Sequence, residues 1–160
     1  MGDIGIRKAV AADREAIGKL WWEMMLFHRE CDARAFRLKP EAEAKEIWLR
    51  HLAECMEDEK QLVLVADAEG ELVGFGMGRL GEDPPCFDLP PHAFVTNFLV
   101  SERARRRGIG RRLYEALAQH FRGLGVKEIR LGVAALNPVS NAFWRELGFE
   151  PAMVTMRKAL

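Results

Sequence analysis

The chain has 160 residues, 24 Lys and Arg balanced by 24 Asp and Glu, and 49% hydrophobic residues. That length suits one domain with a continuous core, and the balanced charge excludes a protein-wide field that would draw it to nucleic acid or an anionic membrane. Three widely spaced cysteines without a C-x-x-C pair, no apolar run of membrane-spanning length and no secretory or transit segment predict a reduced, cytoplasmic protein.

Residues 4–10 read as a first strand. A helix from about residue 12 follows, with Ile17, Leu20, Trp21, Met24 and Cys31 recurring on one face. Pro40 sits at a helix start, and Ala44, Ile47, Trp48, Leu52, Cys55 and Met56 form a second apolar face ending near Asp58. Cys31 and Cys55 therefore read as small core hydrophobes rather than nucleophiles. Residues 61–68 and 71–80 are rich in strand formers and flank Glu69-Gly70, which predicts a hairpin with a two-residue turn. The four prolines of residues 81–91 suit a surface loop, a place where substrate contacts are common.

From residue 93 the order becomes strand (94–100), glycine-rich turn, helix (to about 122), strand (127–134), helix (138–147) and strand (153–158). A strand, helix, strand order implies a parallel crossover. The fold class is thus α/β (α+β): one mixed sheet, antiparallel in its front half and parallel in its back half, flanked by helices in a single domain over residues 1–160.

The strand at 94–100 runs into Arg105-Arg106-Arg107-Gly108-Ile109-Gly110, just at a helix start. A helix N-terminus offers unpaired N–H groups and the positive end of the dipole, and arginines add charge, so the turn is a candidate phosphate site. It is neither a Rossmann fingerprint, because position 113 is Leu, nor a Walker A loop, which ends in Gly-Lys-Ser/Thr. An RNA-binding patch of Arg103, Arg105, Arg106, Arg107, Arg111 and Arg112 is the rival reading, weakened by the lack of interleaved aromatics. A second segment, Asn137 to Phe149, opens with an N-cap Asn and an N1 Pro and closes on Gly148, which suits a left-handed helix stop.

Together, R-x-x-G-x-G after a strand and N-x-x-S-x-x-x-W-x-x-L-G-F resemble the GCN5-related N-acetyltransferases over residues 4–158, most strongly over 94–149. The resemblance implies that acetyl-coenzyme A is the cosubstrate and that no metal is needed. Its pyrophosphate would be held by main-chain N–H groups of the turn, here those of Arg106, Arg107, Gly108, Ile109, Gly110 and Arg111, with Arg105 also in the coenzyme-binding set. The pantetheine arm would lie along the backbone of Phe98, Leu99 and Val100, where the strand splays from its parallel neighbour. The Val100 N–H would polarise the thioester carbonyl, and Asn137, Ser140 and Trp144 would complete the coenzyme site.

Family members carry Tyr at the place of Trp144, or Glu at the places of Gly132 or Thr96, as proton carriers, and none of these three residues can do that work. Candidates for the general base are His28, Asp32, Asp88 and His92, with His28 and Asp32 four apart on one helix face. Tyr114 is expected in the core with Leu113 and Leu117, and Trp22 in an acceptor wall. The implied reaction is acetyl transfer to a primary amine of a small molecule or peptide by direct attack in a ternary complex. The alternative is a catalytically weak acyl-coenzyme A sensing module; no nucleic-acid or membrane partner is expected, and a homodimer is allowed.

Overall fold

In the computed structural model, which describes residues 4–159, the chain runs β1 (Ile4–Lys8), α1 (Arg14–Cys31), α2 (Glu41–Glu57), β2 (Gln61–Ala68), β3 (Glu71–Leu80), β4 (His92–Val100), α3 (Ile109–Gly123), β5 (Glu128–Leu131) and α4 (Pro138–Glu146). The expected domain limits, residues 1 and 160, lie outside the described residues. The strands form one sheet in the order β1-β2-β3-β4-β5, antiparallel throughout except for the parallel β4–β5 pair. The mixed sheet read from the sequence is therefore the observed one.

Four boundaries differ. The first strand stops at Lys8 rather than at residue 10, and a 3₁₀ turn, Ala11–Asp13, takes the start of the expected helix. β4 begins two residues early at His92, and β5 spans only four residues of the expected eight. The strand expected at 153–158 does not form: residues 151–159 are exposed and pair with no strand.

Side-chain alternation along β3 decides how the layers stack. Phe75 and Met77 face α1 and α2, where Ile17, Leu20, Met24 and Leu52 cover them together with a Trp21–Trp48 stack at 4.8 Å. Cys55 is buried in this layer, whereas Cys31, at the last residue of α1, is only half-buried and Ile47 is exposed at the edge of the α2 stripe. The opposite face of β3 carries Gly74, Gly76 and Gly78. There α3 presses Leu113, Leu117 and Phe121 against the sheet, and a Cβ on Gly76 or Gly78 would come within 2.9 Å of Leu117 or 2.7 Å of Phe121. Overpacking of this kind costs about 1–3 kcal/mol. No described helix is long and apolar enough to cross a membrane.

The hairpin turn is as read: Glu69 and Gly70 both have positive φ, 56° and 90°, which matches the twist of the flanking strands. Behind it Arg7 on β1 donates to both oxygens of Asp13, at 2.7 and 2.9 Å, and to Asp67 on β2, tying the first strand to the start of α1. The Arg7 hydrogen bonds, with that from the Val10 N–H, hold the Asp13 carboxyl below its usual range despite burial. A depressed folded-state pKa contributes stability above the unfolded value of about 3.9 that is lost as pH falls through the folded value. Asp13→Asn is therefore expected to lower unfolding free energy at pH 7 by about 1–3 kcal/mol. Urea midpoints at pH 7 and pH 3 should show the wild type losing more stability on acidification than the variant; equal losses would remove this assignment.

Candidate active site

A gap opens in the sheet beside β4. The β4–β5 pairing runs from His92↔Glu128 to Val95↔Leu131 and stops. At the same point β4 bulges: Val95 pairs with Gly78 and Asn97 with Met77, which leaves Thr96 as an extra residue. Beyond the bulge Ser101 donates its N–H to Val73 O at 2.9 Å, so that backbone edge faces β3. Backbone edges alternate along a strand, so Phe98 and Val100 turn their N–H and C=O groups toward the side that β5 has left. The Val100 carbonyl accepts from Arg105 Nε at 3.1 Å, while the N–H groups of both residues face the gap.

The turn after β4 faces the same end. Arg106 and Gly108 both have positive φ, 62° and 73°, and Gly108 is the N-cap of α3 with no side chain to close the helix. A non-glycine residue held in the left-handed region costs of order 1 kcal/mol, a strain typical of ligand-binding turns. The first α3 N–H groups lack intrahelical acceptors and point outward with the positive dipole end. The two glycines do different work. Gly108 has nothing within 4 Å of a notional Cβ, whereas a Cβ on Gly110 would stand 3.0 Å from Phe143, so Gly110 lets α4 approach.

The arginines divide as well. Arg103 pairs with Glu71, Arg112 donates to Ile4 O, and Arg105 is spent on Val100 O and lies over the Phe27 ring at 5.2 Å. Arg106, Arg107 and Arg111 have no side-chain hydrogen bond or ion pair among the described residues, and they flank the open helix start.

α4 closes the gap from the α3 side. Asn137 caps it, 3% exposed, accepting the Ser140 N–H at 2.9 Å, so its oxygen is already engaged. Asn141, which the sequence reading does not single out, donates to Ala134 O and Asn137 O and fixes the β5–α4 loop. Trp144 is 6% exposed among Phe98 (5.0 Å), Phe143 (4.9 Å), Phe149 (5.3 Å) and Tyr114 (5.9 Å). Tyr114 is not in the core with Leu113 and Leu117. It is half-buried against Trp144 and Phe149, and burial pushes its phenol upward, so it stays protonated at neutral pH.

The candidate bases separate. His92 is no solvated loop residue: it is 7% exposed, its Nδ1 is 3.0 Å from Asp83, and Asp83 also pairs with Arg130. It lies eight residues up β4 from Val100, roughly 26 Å at about 3.3 Å per residue. The loop at 81–91, with Asp88, belongs to that same far end. His28 and Asp32 form no side-chain pair. Asp32 accepts the Arg34 and Ala35 N–H groups and binds Arg157, while His28 stacks on Phe36 at 4.6 Å with its Nδ1 buried and unpartnered. Burial lowers the His28 pKa, which keeps the ring neutral. Its neighbour Phe27 lies under the Arg105 guanidinium. Trp22 packs, half-buried, against the α1–α2 core.

No curated protein sequence matches the chain. Among solved structures, a mutant of the BH1408 protein from Bacillus halodurans is similar, with 25% identity, TM-score 0.88 and coverage of 98% of this chain and 99% of that one. The aminoglycoside N-acetyltransferase AAC(6')-Iy, solved with CoA, shares the fold at 20% identity, TM-score 0.74 and coverage of 100% and 97%. So does the aminoglycoside acetyltransferase meta-AAC0020 from an uncultured soil metagenomic sample, solved with sisomicin, at 20% identity, TM-score 0.68 and coverage of 98% and 96%. The family model for acetyltransferases (GNAT) matches residues 19–149, a stretch that takes in the bulged β4, the open helix start and the aromatic α4 alike, and the chain belongs to that family.

Proposed function

We propose that the protein, as a single cytoplasmic domain, transfers an acetyl group from acetyl-coenzyme A to a primary amine by direct attack. The observation that carries the reading is the gap beside Phe98–Val100 opening next to an uncapped helix start flanked by three arginines that have no partner among the described residues. A pantetheine amide fits a strand edge with free N–H groups, and a pyrophosphate fits the helix start. The N–H groups from Arg106 to Arg111 would hold the phosphates. Ser140, in the first turn of α4, and Trp144 would border the arm.

In the reaction the amine forms the new C–N bond while the thioester C–S bond breaks. The Val100 N–H stabilises charge on the carbonyl oxygen, and His28, neutral through burial, accepts the amine proton. The coenzyme thiol, of pKa about 8.5, is a tolerable leaving group, and general acid help is worth about 10²–10⁴. Trp144 cannot supply that proton, which is the observation behind a second reading as a slow acyl-coenzyme A sensor.

A panel of amines assayed for thiol release from acetyl-coenzyme A separates the two. The solved relative bound to sisomicin makes aminoglycosides the first members of the panel. Turnover with at least one amine class is expected; tight coenzyme binding with no turnover across the panel would favour the sensor. His28→Gln should cut kcat by about 10²-fold and remove the fall of kcat on the acid side of the ordinary imidazole range, the side to which burial moves this ring. An unchanged pH profile would remove His28 as the base.

A further inference from the structure

Val100 is the last residue of β4, and beyond Val95 that strand is paired, among the described residues, with β3 alone. A backbone N–H that polarises a thioester must be aimed before the substrate arrives, because a donor that has to reorient loses much of its effect. On the β3 side the hold comes from the register Gly74↔Val100 and from the Ser101 N–H donating to Val73 O. Those contacts lie in the plane of the sheet, and a strand end held along one edge can still swing out of that plane.

The grip from above the plane comes from α1. Glu23 Oε2 accepts the Ser101 hydroxyl at 3.1 Å, and Glu23 Oε1 accepts the Glu102 N–H at 3.0 Å, bonds that span 78 and 79 residues of chain. Ser101 is 4% exposed and is the N-cap of a 3₁₀ turn, Glu102–Ala104, yet its side chain makes no capping bond to that turn. A serine in this position ordinarily accepts from the N–H groups of its own turn. Here its hydroxyl is turned to α1, and the Glu23 carboxylate takes the first N–H of the turn in its place. Four residues along the same helix face, Phe27 lies under the Arg105 guanidinium, whose Nε donates to Val100 O. Glu23 and Phe27 thus hold the two ends of the turn that runs from Ser101 to Arg105.

A carboxylate bonded to the residue after Val100 has the wrong sign to help a developing oxyanion. Its use there is geometric: two acceptor oxygens on a side chain long enough to reach from α1. We infer that Glu23 is a positioning residue, which locks the end of β4 onto α1 so that the Val100 N–H stands in the gap at a fixed angle. The inference rests on the acetyl-transfer reading, in which that N–H polarises the thioester.

The test uses the full chain with acetyl-coenzyme A isotope-labelled at the acetyl carbonyl, first without an amine, so that no turnover is needed. Infrared difference spectra should show the bound wild-type carbonyl stretch below that of the free thioester. Glu23→Ala should lose most of that shift while its coenzyme affinity stays within about threefold of wild type, because the N–H groups of the phosphate turn are untouched. With an amine that turns over, kcat should fall about 10- to 100-fold at an unchanged coenzyme KM. Glu23→Gln keeps the reach without the charge, donating to the Ser101 oxygen instead of accepting from it, and should restore both readouts to within about threefold. Glu23→Asp keeps the charge but falls one methylene short, and should behave like Ala. An unshifted carbonyl in the wild type would remove the acetyl-transfer reading and the positioning role with it. A shift that survives Glu23→Ala, or rescue by Asp and not by Gln, would overturn the positioning role alone. If Glu23→Ala does not fold, the Gln and Asp variants decide.

Discussion

Gly108→Asp is expected to weaken coenzyme A binding at least about 100-fold, roughly 2.7 kcal/mol, while leaving the fold intact. A large effect on binding beside a small one on the fold makes this a clean test. Position 108 is the N-cap of α3, where an aspartate favours the helix, and its backbone at φ 73° is one that Asp tolerates better than most residues. No atom lies within 4 Å of the new Cβ. The left-handed backbone strains any side chain here by of order 1 kcal/mol, so the fold should hold with a small loss of stability, while the added carboxylate stands where the phosphate charge would sit. Gly108→Asn has nearly the same shape without the charge and should lose far less affinity. Calorimetry that finds both variants binding like the wild type would remove the phosphate assignment from this turn.

Replacing Trp144 by Ala should produce the largest loss of stability, because the indole fills the space between Phe98, Phe143, Tyr114 and Phe149. Truncating a buried Trp costs about 3–5 kcal/mol, which at about 2–4 °C per kcal/mol is a fall in Tm of about 6–20 °C. Conservative replacements separate packing from chemistry. Trp144→Phe keeps the ring and should stay near the wild-type kcat. Trp144→Tyr places a phenol of pKa about 10 beside a leaving thiolate of pKa about 8.5 and should preserve or raise kcat, with some loss of packing seen as a higher KM. A large drop in kcat for both ring variants, with thermal unfolding unchanged, would assign a specific task to the indole N–H.

Where local chemistry decides local shape, the sequence is informative. Glu69-Gly70 sets the hairpin register, Asn137-Pro138 and Gly148 bound α4, and the apolar stripes of α1 and α2 name the core residues with Ile47 as the exposed exception. The misreadings share a different origin. His92 follows two prolines and so reads as loop, but Asp83 and Arg130, distant in the chain, make it a buried strand residue. The Thr96 bulge has no signature in its own neighbourhood, because it is defined by which β3 residues stand opposite. Residues 153–158 have a strand's composition, but composition does not name a partner, and no strand of the sheet pairs with them. Tyr114 reads as apolar by spacing yet borders Trp144, a consequence of how closely α4 approaches α3 through Gly110.

The glycine row on β3 divides what the molecule can vary from what it cannot. With Leu117 and Phe121 resting almost on bare backbone, the height of α3 above the sheet is set to within one methyl group, and the helix start inherits that tolerance. The other face has no such gauge: the connection from residue 32 to residue 40 carries no regular structure, and its contacts are made by exposed or half-exposed side chains. Substitutions there can accumulate without shifting the donor site. Descendants of this chain selected on a new amine should therefore carry their changes in the connection from α1 to α2, whereas Gly74, Gly76 and Gly78 should survive any such selection unaltered.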